Sequence, residues 1–93
     1  MFIHMAIHKH HPEAEAALLD SMRRFGEAMQ KCDGLVDIFQ LKDTKTGHLV
    51  GLAIWESKAH WEAAMPLCRP VIANDPFDDW EDEPPQIFAF EEA

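Results

Sequence analysis

The segment LVDIFQLKDTKTGHLVGLAIWE, Leu35 to Glu56, reads as two strands joined by a polar turn. Leu35 to Lys42 and His48 to Glu56 are short and rich in aliphatic residues, and Asp43-Thr44-Lys45-Thr46-Gly47 between them is a turn sequence closed by glycine. A sheet wetted on one face alternates apolar with polar side chains. These strands do not. Val36 and Ile38 lie on one side of the first and Phe39 and Leu41 on the other; Val50, Leu52 and Ile54 oppose Leu49, Gly51, Ala53 and Trp55 in the second. Both faces of the hairpin therefore require cover.

Before the hairpin, Phe2 to His8 reads as another strand, with Phe2, His4, Ala6 and His8 on one face and Ile3, Met5 and Ile7 on the other. Pro12 suits the first turn of a helix, where its missing N–H is no loss. Ala14, Leu18, Met22, Phe25, Met29 and Cys32 then recur at steps of three and four, the stripe of a helix laid on a core. Gly26 suggests close packing in its middle, and Gly34 is placed to end it in the left-handed conformation. After the hairpin, Ser57 caps a short helix from Lys58 to about Met65. Pro66 and Pro70 interrupt it, and a second helical piece is expected over Arg69 to Asn74. Asn74 to Pro85 is acidic and bounded by prolines, a solvated loop held down by Phe77 and Trp80; its spacing does not match a calcium loop. Gln86 to Phe90 is the last strand.

The order strand, helix, strand, strand, helix, strand is the ferredoxin-like split βαβ arrangement, an α+β fold on a four-stranded antiparallel sheet within one domain, residues 1–93. Right-handed crossovers set strands one and three side by side in the middle, and we expect these two to run parallel. Both helices cover one face. The other, also apolar, calls for a second copy of the sheet, which makes the expected assembly a homodimer.

Bulk properties narrow the function. Seventeen acids against 8 bases give a net charge of −9, which repels a phosphate backbone, so nucleic-acid binding is not expected. No apolar run approaches the ~20 residues that span a bilayer, and the N-terminus lacks the pattern of a signal peptide, so a cytoplasmic location is expected with no membrane partner. Cys32 and Cys68 fit free thiols. His4, His8, His10 and His11 cluster, and His8 with His10 has chelating spacing, but no clear third ligand follows, so no metal is expected.

If the face away from the helices carries His4, Ala6 and His8 with Gly51, Ala53 and Trp55, the small residues leave a hollow. Parallel central strands would then bring His8, Asp37 and Trp55 to one end of it. That is the form of a ligand pocket, with a few polar groups on an apolar wall. His8 is the candidate proton acceptor, since a histidine titrates near neutrality, and Asp37 would orient it. His60, in the helix after strand three, is the reserve. Trp55, Asp37, His4 and Phe39 are the candidate substrate contacts.

Three motifs, His11-Pro12-Glu13 opening the helix, Cys32-Asp33-Gly34-Leu35-Val36 entering strand two and Ile54-Trp55-Glu56-Ser57 closing strand three, together with the N-terminal strand, resemble the antibiotic biosynthesis monooxygenase family of dimeric α+β barrels. The similarity spans nearly the whole chain. It implies a homodimer that oxidises a small aromatic or quinol-like substrate with molecular oxygen and no cofactor, with Trp55 as the pocket tryptophan. The chain departs from the family at Ala64, where many relatives carry a histidine, and at Arg69, near a second such position. Strand one has no asparagine and Ala64 to Arg69 no histidine, so haem degradation is not expected. The competing readings are a non-catalytic small-molecule-binding dimer and an isomerase or lyase on the same barrel.

Overall fold

The structure is a computed structural model describing residues 1–93. Strand β1 (Phe2–His8) leads through a 3-10 turn (Pro12–Ala14) into helix α1 (Glu15–Gln30). The hairpin β2 (Leu35–Lys42) and β3 (Leu49–Trp55) follows, then helix α2 (Lys58–Cys68), a 3-10 segment (Arg69–Ile72), the one-turn helix α3 (Phe77–Trp80) and β4 (Gln86–Glu91). The sheet order is β2-β3-β1-β4, the ferredoxin-like α+β arrangement. Every neighbouring pair is antiparallel.

That corrects the parallel pairing expected of strands one and three. The α1 crossover returns the chain in the direction of β1, and the hairpin then reverses it, so β3 opposes β1. Phe2 faces Trp55, and His8 faces Leu49.

Local signals explain the elements. The Asp43 carboxylate accepts the N–H of Lys45 at 2.8 Å and of Thr46 at 3.3 Å, which fixes the turn and holds that carboxyl below its usual range. Ala14 in the 3-10 turn and Leu18, Met22 and Met29 along α1 are buried, as the stripe requires. Gly26 lets α1 approach β2: a Cβ there would meet Gln40 Nε2 at 2.9 Å and Ile38 Cδ1 at 3.3 Å. Gly34 has φ +88°, and a side chain on it would collide with the His60 ring. Ser57 Oγ accepts the His60 N–H at 3.2 Å and caps α2. This helix continues past Pro66 to Cys68, beyond the expected end, with both Met65 and Cys68 buried in the core.

Phe2, Met29, Ala53, Trp55, Ala64, Met65 and Cys68 form the main core; Leu18, Met22 and Leu49 form a second cluster capped by Phe77 and Trp80. Cross-strand partners share a sheet face. The helix-covered face therefore carries Phe2, His4, Ala6, His8, Gly51, Ala53 and Trp55. This inverts the expected phase, which had turned the His4, Ala6 and His8 face away from the helices. The bare face carries Ile3, Met5, Ile7, Leu52 and Ile54 with Phe39, Phe88 and Phe90. A bulge between Leu35 and Asp37 breaks the alternation at Val36.

Phe77 and Trp80 anchor the acidic segment, with ring centroids 5.3 Å apart, edge to face. Glu81 is not solvated like its neighbours: it is 5% exposed. Cys32 and Cys68 are free, with Sγ atoms 3.6 Å apart; burial and the Cys32 contact push the Cys68 thiol up to about 11. No helix is long and apolar enough to cross a membrane.

Candidate functional site

A cavity of about 420 Å³ lies between the helices and the covered sheet face. Its floor is Ala6, Gly51 and Ala53, side chains too small to fill the gap. Met22, Phe25 and Met29 of α1 stand opposite, and Met65 closes the wall from α2. Enclosure by apolar groups with a few polar ones is the usual form of a small-molecule site.

The polar groups form two sets. Toward the Trp55 end, His4 stacks on Trp61 with centroids 5.0 Å apart and planes 24° apart. Burial, reinforced by the Arg69 guanidinium, holds the His4 imidazole below its ordinary value, so it is neutral at neutral pH. Arg69 lines the cavity from the 3-10 segment. Trp55 is fully buried in the wall, and its Nε1 has no hydrogen-bond partner.

Toward the other end, His8 lines the cavity and its Nδ1 lies 3.0 Å from Glu81 Oε1. The two side chains are 12% and 2% exposed. Glu81 Oε2 is buried without a partner. The backbone explains how a carboxylate reaches this depth. His10 and Glu81 form an antiparallel bridge, His11 N–H donates to Trp80 O at 2.8 Å, and Glu81 N–H donates to Phe77 O at 2.9 Å. The pair leaves His8 Nε2 without a protein partner.

Of the residues singled out in the sequence, His4, His8, Trp55 and Phe39 line this cavity. Phe39 borders it only from the edge strand, since its side chain shares the bare face with Leu52 and is 41% exposed. The expected convergence of His8, Asp37 and Trp55 does not occur. Antiparallel pairing puts His8 and Trp55 at opposite ends of the strands, on the order of 20 Å apart at ~3.3 Å per residue. Asp37 pairs with Ile54, on the bare face, and its carboxylate accepts the Ile38 N–H at 2.8 Å. His60 also lies elsewhere, in a shallow hollow beside Cys32 and Leu67, with Nδ1 2.7 Å from Ser57 Oγ. The remaining N-terminal histidines are engaged separately, His10 with Glu15 at 3.1 Å and His11 with Asp82 at 3.1 Å. No three His, Cys, Asp or Glu side chains converge as metal ligands.

No family model matches the sequence, and no curated protein matches it. Solved structures do match over the whole chain. The Rv0793 protein of Mycobacterium tuberculosis superposes with TM-score 0.83 at 15% identity, covering 99% of this chain and 94% of its own. A conserved protein of Methanosarcina mazei Go1 gives TM-score 0.85 at 13% identity, covering 99% and 92%. A structure described as an antibiotic biosynthesis monooxygenase gives 0.79 at 16% identity, covering 100% and 99%. At these identities the likeness establishes the fold, and it is the fold of the family that the sequence motifs resemble.

Proposed function

We propose that this chain is a cytoplasmic homodimer of the antibiotic biosynthesis monooxygenase type, a cofactor-independent enzyme that oxidises a small aromatic or quinol-like substrate with molecular oxygen. The observation that carries the reading is the partly open apolar cavity with an oriented histidine, His8, held by the buried Glu81 carboxylate. In this reading His8 Nε2 takes the acidic proton of an activated CH2 flanked by aromatic rings. Glu81 fixes the imidazole tautomer and steadies the cation that forms. The resulting carbanion gives its electrons to oxygen and forms a C–O bond. Loss of the second C–H proton and cleavage of the O–O bond yield a ketone and water. The substrate supplies all four electrons, so CH2 plus O2 becomes C=O plus H2O with no external reductant. Methionine, phenylalanine and tryptophan side chains give the carbanion an apolar surround on the helix side of the cavity.

The bare face supports the dimer. Leu41, Phe88 and Phe90 are 45%, 38% and 49% exposed there, continuous with Met5 and Leu52. A second sheet laid on it would bury that surface.

The test is oxygen uptake by metal-free protein with a panel of anthrones, quinols and catechols. With the anthrones, which carry the activated CH2, we expect one oxygen consumed per ketone formed, with no peroxide released. His8→Ala is expected to lower turnover by roughly 10²-fold or more with the dimer intact. Saturable binding of the panel without oxygen uptake would instead identify a non-catalytic binding module.

A further inference from the structure

We infer that the cavity selects an aromatic substrate bearing a carboxylate, held at the Trp55 end by Arg69. This deepens the oxidation reading and rests on it for the aromatic body of the substrate. The charge distribution points to the anion. The chain has 17 acidic residues, yet no Asp or Glu lines the cavity. Arg69 is the one Lys or Arg that does, and it is the only Lys or Arg after Lys58. It forms no ion pair, whereas Arg24 is held by both Asp20 at 3.0 Å and Asp75 at 2.8 Å. A guanidinium with five N–H donors matches a planar carboxylate in a two-bond fork.

The surroundings support the same group. His4 is neutral beside Arg69, because burial and that cation disfavour its protonation, so it keeps one N–H to donate to an anionic oxygen. Its ring lies on Trp61, which fixes its plane. In the wall at this end the buried Trp55 Nε1 has no acceptor within the protein. A neutral polycycle would offer neither the His4 N–H nor the Arg69 guanidinium an anionic acceptor. His4 and His8 share the cavity floor four residues apart along β1, roughly 13 Å at ~3.3 Å per residue. A carboxylate on Arg69 would therefore set a fused-ring body along the floor with its far end toward His8.

The experiment is isothermal titration of the intact protein, at low ionic strength, with 2-naphthoate and with its neutral isostere 2-naphthamide. Arg69 is exposed on a 3-10 segment, so Arg69→Gln is expected to fold normally. Naphthoate should bind about tenfold more tightly than naphthamide to the unmodified chain, and the two should come within about threefold of each other in Arg69→Gln, with the amide's affinity unchanged. Arg69→Lys should restore part of the preference. Equal affinities in the unmodified chain, a preference that survives Arg69→Gln, or no saturable binding of either probe would each overturn the inference. Its failure is separable from that of the oxidation reading. An Arg69-dependent preference without oxygen uptake on any panel member defeats only the oxidation. Oxidation of neutral anthrones without any preference for naphthoate defeats only the carboxylate.

Discussion

The two faces of this sheet are made by the same strands, often by adjacent residues, and they do opposite things. On the covered face, His4, Ala6 and His8 alternate with Ile3, Met5 and Ile7 on the bare one. The bare face is uniformly apolar across its centre and presents a surface suited to packing. The covered face mixes the bulky Phe2 and Trp55 at one end with Ala6, Gly51 and Ala53 in the middle, and it sets histidines over the gap. Small residues under a helix layer fail to fill the space, and that failure is the cavity. In the proposed reading, uniform bulk marks the surface for a second sheet, and a break in bulk decorated with histidine marks the site.

Substitution on each face separates these roles. The largest effect should come from Trp55→Ala. Trp55 is wholly buried at the junction of β3 with both helices, and removing the indole should cost about 3–5 kcal/mol. Urea denaturation at fixed protein concentration measures it; a loss below about 1 kcal/mol would mean that the covered face is not the core. Next comes Phe88→Ser on the bare face, whose ring lies parallel to that of Phe90 with centroids 6.3 Å apart. Each protomer of a dimer would lose most of a buried aromatic side chain, about 1.5–3 kcal/mol. Sedimentation should show a mass of about twice 10.6 kDa for the unmodified chain and a shift toward the monomer in the variant. A monomeric unmodified chain at micromolar concentration would remove the functional distinction between the faces.

Much of this contrast was readable in the residues. The i,i+3,i+4 stripe from Ala14, the Ser57 cap and the glycine-closed turn are local signals, and each element formed where they fell. The direction of β3 against β1 is not local; it follows from counting reversals of the chain. The phase failed for a physical reason. Both sides of β1 carry apolar residues, so alternation alone does not say which side the helices cover, and the structure puts the histidine-bearing side under them. With direction and phase changed, His8 lost Asp37 and Trp55 as neighbours and gained Glu81. Nothing in the run Asp78 to Glu83 distinguishes Glu81, since its burial depends on the bridge to His10. Arg69 did carry a signal, as the lone cation in the last third of the chain.

The smallest effect concerns what keeps the helix layer closed over the covered face. Ser21 is 1% exposed on α1, and its hydroxyl donates to Asp75 Oδ2 at 2.6 Å. Arg24 Nη2 donates to the same oxygen at 2.8 Å, while Arg24 Nη1 donates to Val71 O at 3.3 Å. This ties α1 to the segment that carries Arg69 and Ile72, and the bare face has no counterpart. Ser21→Ala should cost about 1 kcal/mol at neutral pH, the size of a typical single hydrogen bond, because Arg24 still holds the same carboxylate oxygen. The Ser21 hydroxyl, and then Arg24, hold the Asp75 carboxyl below its usual 3.8. A carboxyl depressed in the folded state stabilises the fold above its unfolded value and loses that contribution as pH falls through the folded one. The stability gap between the unmodified chain and Ser21→Ala should therefore be full at neutral pH, persist down to about 3.8 and shrink below it. Chemical denaturation at several pH values reads that gap, and sedimentation should find the association state unchanged. A gap that stays constant into strong acid would show that Ser21 acts through packing alone, and a change in self-association would show that the two faces are coupled through the sheet.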